Sequence, residues 1–360
     1  MENKILISKQ VSSALFLGAI IIIIAGLKYA SSLITPLLLA IFISIICAQP
    51  MAWLARKKVS HGLSMLIVLT GVNLMLFLIG QLIGRSIGRF TNDAPQYAVR
   101  LNEIAINAFQ SLNELGMNVS PDQLKSIFNV GKVMNTTAGM LGDLGGLMGN
   151  IVIVMFIVVF ILMELNAFAV KTIAIVDTPN KSLNYIPKIG NSIRHYLGIK
   201  TLVSLATGVL IWIGLKLIGV EYAGVWAMIA FLLNFIPQIG SFIAMIPAIL
   251  FALVQVGFGG ALGTLIIFVM VNLVIGSIVE PRVMGKGMGL STLVVFISLI
   301  FWGFVFGTVG MFLSVPLTMA IKVILEQNEN TKWIAILLGT QKEAEVVIER
   351  RKYAANLPDD

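Results

Sequence analysis

Residues 234–247 read NFIPQIGSFIAMIP and lie inside 31 otherwise apolar positions, 223–253. As one straight helix, at about 1.5 Å per residue, that stretch would be about 46 Å long, too long for a hydrocarbon layer of about 30 Å. It also breaks in the middle. Pro237 has no backbone N–H and clashes with the preceding turn, and Gly240 loosens the helix further, so FIPQIG interrupts the hydrogen-bond ladder. Unpaired backbone groups at that depth are tolerated only inside protein or beside water. The simplest reading is two half-length helices meeting near the midplane, a re-entrant hairpin whose tip lines a cavity.

The C-terminal part repeats the plan. Residues 290–324 are another 35 apolar positions, broken by WGFVFGTVG with Gly303, Gly307 and Gly310 and followed by LSVPL. Each unit carries a hydrophobic-Pro pair, Ile246-Pro247 and Val315-Pro316, and each follows one full span, 201–219 and 261–279. A hairpin returns to the side it left, so the second unit enters from the opposite face, which makes an inverted repeat. That is the architecture of alternating-access transporters. A single kinked span at 223–253 would instead place Arg282 and Lys286 outside. Helices kinked by proline with no transport meaning are the competing reading.

Composition agrees with a membrane location. Of 360 residues, 58% are hydrophobic and 12% charged, more apolar surface than one soluble core can hide. Windows of the roughly 20 apolar residues needed to cross a bilayer fall at 11–27, 33–49, 62–84, 149–165, 201–219 and 261–279. The expected fold is therefore an all-α polytopic bundle of about seven or eight transmembrane helices, counting the two broken hairpins. The first apolar run lacks a small-residue cleavage site and reads as a retained helix rather than a signal peptide. Cys47, the single cysteine, excludes internal disulfides and thiolate metal clusters.

With the N-terminus in the cytoplasm, eighteen of the 25 Lys and Arg residues fall inside and seven outside. This positive-inside pattern explains the net charge of +8 without nucleic acid, and it places both termini in the cytoplasm. The expected domains are 1–84, N-terminal spans; 85–148, an external helical segment; 149–200, a span and a cytoplasmic surface helix; 201–325, the transport core; and 326–360, a cytoplasmic tail. In the external segment Tyr97, Leu101, Ile104, Ala108, Leu112 and Leu115 recur at helical spacing, and Ser120-Pro121-Asp122-Gln123 reads as the start of a second short helix. Ser182, Ile186, Ile189, Ile193 and Tyr196 form a similar stripe flanked by basic residues, as for a helix on the inner membrane surface.

Polar groups within a membrane are costly, so each is a site candidate. The first hairpin offers Asn234, Gln238 and Ser241 beside Pro237 and Gly240, the next span offers Asn272, and the second hairpin offers Gly307 and Gly310. Uncharged amides and hydroxyls suit a small polar molecule with several hydroxyl groups; helix-to-helix hydrogen bonding is the structural alternative. Glu280 and Arg282 flank Pro281, positioned to pair with each other or exchange partners, and Glu164 closes the fourth span; these three are the candidates for ion coupling. Gly80, Gly84 and Gly88 form a double GxxxG that admits close approach of a helix from the same or another subunit. No P-loop motif occurs, the aspartates lie outside the spans, and the two histidines sit at span edges. Enzyme, metal and cofactor chemistry are therefore not expected.

NFIPQIGSFIAMIP, the run EPRVMGKGMGLSTLVVFISLIFWGFVFGTVGMFLSVPL from Glu280, and RHYLGIKT from Arg194 together resemble the autoinducer-2 exporter family of bacterial inner-membrane permeases. The similarity runs from about residue 10 to 340 and is densest over 193–325. It is nearest the quorum-sensing signal transport branch. The resemblance implies seven or eight helices, a homo-oligomer such as a pentamer in membrane lipid, and export of autoinducer-2, a small hydroxylated furanosyl molecule. Some members of the family are regarded as sodium or lithium/proton antiporters, which would require Glu280 or Glu164 to titrate. A membrane scaffold without substrate is a third reading from another class.

Overall fold

The computed structural model describes residues 9–114, 139, 151–175, 185–237, 239–284 and 289–355, and all regular structure among them is helical. Among the described residues, five helices are long and apolar enough to cross a membrane, namely Ser31–Arg56, His61–Ser86, Ile189–Ile218, Phe258–Met284 and Thr292–Leu325. Four shorter apolar helices accompany them, at Leu17–Tyr29, Ile151–Glu164, Ala223–Leu233 and Gly240–Val256. The chain is an all-α, multi-pass membrane protein. It divides into two compact units, one of residues 46–152 and 194–287, the other of residues 1–45, 153–193 and 288–360.

In the first unit, helix α3 (His61–Glu114) is 54 residues long with Pro95 inside it. The apolar span and the amphipathic stretch from Tyr97 are one helix, so the expected boundary at 84/85 falls within it: composition changes there, but the helical period does not. Helix α5 (Tyr185–Ile218) likewise fuses the expected surface helix with the span that follows. Of the expected stripe, Ile193 and Tyr196 are buried at 9% and 4% exposure and Ile189 is half-buried, while Ser182 and the Ile186 side chain lie outside what the structure describes.

Helices α6 (Ala223–Leu233) and α7 (Gly240–Val256) form the first hairpin. In a straight helix Trp226 and Phe251 would be about 38 Å apart; here their ring centroids are 5.3 Å apart. Ala244, Ala248 and Ala252 recur every fourth residue at 0% exposure, and Ala230 on α6 is also at 0%. Side chains this small let two helices approach closely. Gly240 makes the tightest contact, since a Cβ there would stand 1.7 Å from the Leu233 carbonyl oxygen. Phe235 and Ile236 donate to the carbonyls three residues back, Gly240 donates to Ile236, and Pro237 has no N–H to satisfy. Tight local turns thus pair these described amides at the tip. Gly257 (φ 89°) then turns the chain into α8 (Phe258–Val271), which continues as a π-helix over Asn272–Val279 and ends in α9 (Glu280–Met284).

In the second unit, α1 (Lys9–Tyr29) and α2 (Ser31–Arg56) are parted by Ala30 alone, and α4 covers Ile151–Ile175. Ile24, Leu27, Ile34 and Leu38 pack against Trp302, Val305 and Phe306 of α10 (Thr292–Leu325). Helix α10 is itself a hairpin. Gly307 has φ 64° and ψ −147°, and beyond it Thr318 returns to accept a 3.0 Å hydrogen bond from Trp302 Nε1. Sixteen residues of straight helix would set that pair about 24 Å apart. Gly310 repeats the role of Gly240, with a Cβ there falling 1.9 Å from the Trp302 carbonyl oxygen. Both expected hairpins are therefore present, each with a glycine where its arms converge. Buried Lys322 on the returning arm binds the Gly289 carbonyl and, at 2.5 Å, Glu343 of α12 (Gln341–Ala355). This ties the C-terminal helix, which follows α11 (Lys332–Leu338), to the base of the hairpin.

Candidate functional site at the first hairpin

Helix α5 builds the site. Tyr196, Lys200, Ser204 and Gly208 fall at intervals of four, on one face of the helix. Gly208 lets α6 come close, since a Cβ there would lie 3.1 Å from the Ala227 carbonyl oxygen. One turn earlier, Ser204 Oγ accepts a 2.9 Å hydrogen bond from Asn234 Nδ2, and Asn234 Oδ1 accepts a 3.2 Å bond from Ser241 Oγ. The three groups are buried, with Ser204 at 0%, Ser241 at 7% and Asn234 at 8% exposure. The amide that the sequence singled out thus bridges the tip of the hairpin to a span.

One further turn along α5, Lys200 Nζ lies 2.6 Å from Glu280 Oε1. Of the two expectations, that Glu280 pairs with Arg282 or exchanges partners, the direct pair is not the one in this structure: residues two apart on a helix point in different directions, and Arg282 is exposed. Next to Lys200, Thr201 buries its hydroxyl oxygen without a hydrogen-bond partner. Gly198 admits Gln49, whose Nε2 donates to the Arg194 carbonyl at 2.9 Å, so RHYLGIKT is a packing and pairing surface.

Asn272 begins the π-helical segment. Gln238 lies outside the described residues, as does the short helix expected from Ser120. Glu164 pairs with Lys171 on its own helix, and both side chains are more than half exposed. Gly307 and Gly310 shape the second hairpin. Among the described residues, Gly84 and Gly88 meet nothing within 4 Å of an added Cβ. No cluster of metal-ligating side chains occurs among the described residues.

A second polar cluster closes the open end of the first hairpin. Tyr222 OH donates to Asp93 at 3.0 Å, Tyr97 OH to Glu221 at 3.2 Å, and Gln255 Nε2 to Glu221 at 2.8 Å. Tyr222 holds a left-handed φ of 56°, a conformation that persists only when its surroundings fix it. Both phenols have raised pKa values. Burial leads in each case; the bond to Asp93 adds to it for Tyr222, while for Tyr97 the bond from Gln255 opposes it and the Glu221 charge adds to it. A raised value in the folded state means that folding holds these protons more tightly. The stabilisation is complete below the ordinary tyrosine value of about 10 and is lost as pH climbs above it through the folded values. Melting temperature measured from about pH 9 to 11 is expected to fall less steeply in the Tyr97→Phe/Tyr222→Phe variant than in the unaltered protein.

The family model described as AI-2E family transporter matches residues 17–330. A Haemophilus influenzae protein named provisionally as a transport protein is 38% identical over 94% of this chain and 98% of its own length. The AI-2 transport protein TqsA of Escherichia coli K12 is 36% identical over the same shares. YhhT of Escherichia coli K12, also named provisionally as a transport protein, is 34% identical over 90% of this chain and 93% of its own length.

Proposed function

Because the chain belongs to the AI-2E transporter family, we propose that it exports a small polar signalling molecule, autoinducer-2 before others, by alternating access or a gated pathway through a bacterial inner membrane. The observation that carries this reading is the buried Asn234 amide, shared between Ser204 and Ser241 at the tip of a membrane hairpin. In this conformation each polar group of Asn234 is taken by a protein hydroxyl. A hydroxylated molecule both donates and accepts, as these two hydroxyls do toward the Asn234 amide, and the unpartnered Thr201 hydroxyl offers a further bond. A fully charged molecule would need compensation that these neutral groups lack.

The test is flux of labelled autoinducer-2 in liposomes containing the purified protein, with and without a proton gradient. Asn234→Ala removes two hydrogen bonds worth about 0.5–1.5 kcal/mol each, so flux at low substrate concentration is expected to fall about tenfold. Wild-type flux in that variant would remove Asn234 from the pathway. The exposed face at Gly84 and Gly88 supports a homo-oligomer in lipid, and the positive-inside charge pattern supports cytoplasmic termini.

The partly buried Glu280 carboxylate favours a second reading, a sodium or lithium/proton antiporter. Under it, Glu280→Gln stops pH-dependent cation flux in vesicles. Signal efflux that survives the same substitution assigns the pathway to the hydroxylated molecule and takes coupling away from Glu280.

A further inference from the structure

Over Asn272–Val279 the backbone is a π-helix, and the N–H of Glu280 donates to the carbonyl of Ile275, five residues back. Pro281 gives the physical reason. It has no N–H to contribute, and in an α-helix its ring would press on the carbonyl four residues earlier, that of Ser277. A wider turn relieves that pressure, and Gly276 makes the segment easier to open. Turns of this kind are rare and concentrate at functional sites. Immediately beyond the segment, Glu280 meets Lys200, the two side chains being 17% and 5% exposed.

We propose that Lys200 and Glu280 form a latch on a helix with two registers. Paired, they hold Asn272–Val279 in the π register. Released, the segment rewinds into an α-helix kinked at Pro281, and Glu280 turns about the helix axis by on the order of a hundred degrees, one residue's worth of α-helix. The purpose of the movement rests on the transport reading above: Lys200 is a positioning residue that acts on the pathway through Glu280, and Asn272 and the face that follows it turn with the segment.

Backbone hydrogen exchange in lipid nanodiscs tests the latch without any substrate, so its outcome is separate from whether labelled autoinducer-2 crosses liposomes. Lys200→Met and Glu280→Gln are each expected to speed exchange over 272–284 about tenfold or more, while peptides from 292–306 keep wild-type rates. The charge-reversed variant Lys200→Glu/Glu280→Lys should return to within about twofold of wild type. Exposed Pro281→Ala removes the cause of the wide turn, so the segment should exchange more slowly than in wild type, and adding Lys200→Met should then change little. Wild-type exchange in both single variants, or a charge-reversed protein as fast as the singles, overturns the proposal. Should Lys200→Met fail to fold, Lys200→Arg and Pro281→Ala still decide it: wild-type exchange in Pro281→Ala would end the two-register idea.

Discussion

Gly240→Ala is expected to give little or no folded protein. The added carbon would stand 1.7 Å from the Leu233 carbonyl oxygen, and both atoms belong to backbone locked in helices that converge at the hairpin tip. No side-chain rotation relieves that contact, so the arms must spread or the tip must unwind. Spreading would undo the packing of the hairpin arms in the buried cluster, and unwinding would strip the described tip amides of their local partners. Inserting a methyl into a well-packed core costs about 1–3 kcal/mol, and a clash with backbone belongs at or above the upper end. Thermal unfolding followed by size-exclusion recovery should show a large fall in midpoint or an absence of monodisperse protein. Gly71→Ala is the control, because a Cβ there meets nothing within 4 Å. A Gly240→Ala protein as stable as that control would mean that the arms do not converge as described.

Lys200→Met is the second large effect. The lysine is 4% exposed, and its removal leaves the Glu280 carboxylate partly buried and uncompensated. Losing one partner of a buried pair costs about 3–5 kcal/mol, whereas replacing both by apolar residues of similar size is often neutral. The expected pattern is therefore a strong loss of thermal stability in Lys200→Met and recovery of most of it in Lys200→Met/Glu280→Met. Additive losses in the double variant would show that the two side chains act separately. Purified protein in detergent, compared across the four variants of the cycle, makes the measurement.

Much of the hairpin was legible because proline and glycine act locally. Pro237 and Gly240 together weaken the helix at one point, and the 31 apolar residues of 223–253 exceed the length of one upright span. Asn234 and Ser241 stood out for the same reason, as polar groups in an apolar run. Ser204 and Lys200 did not. A lysine near the end of a span reads as a flanking charge that anchors it at the inner surface, and only its recurrence with Tyr196, Ser204 and Gly208 at intervals of four marks a buried face. Gly276 and Pro281 carried a signal for the wide turn, but the contest between a kink and a π-helix is decided by which carbonyl the proline ring meets. In the second hairpin three glycines offered the same freedom; packing selected Gly307 for the reversal and Gly310 for the close approach. The lengths of α3 and α5 were hidden because hydropathy reports the edge of a membrane, and a helix does not stop there.

The alanines at 244, 248 and 252 have a consequence for what the first hairpin can do. At 0% exposure they leave no solvent-reachable gap along that face of α7, so nothing threads past it in this conformation. A passage along that face would require α7 to part from the helices packed on it.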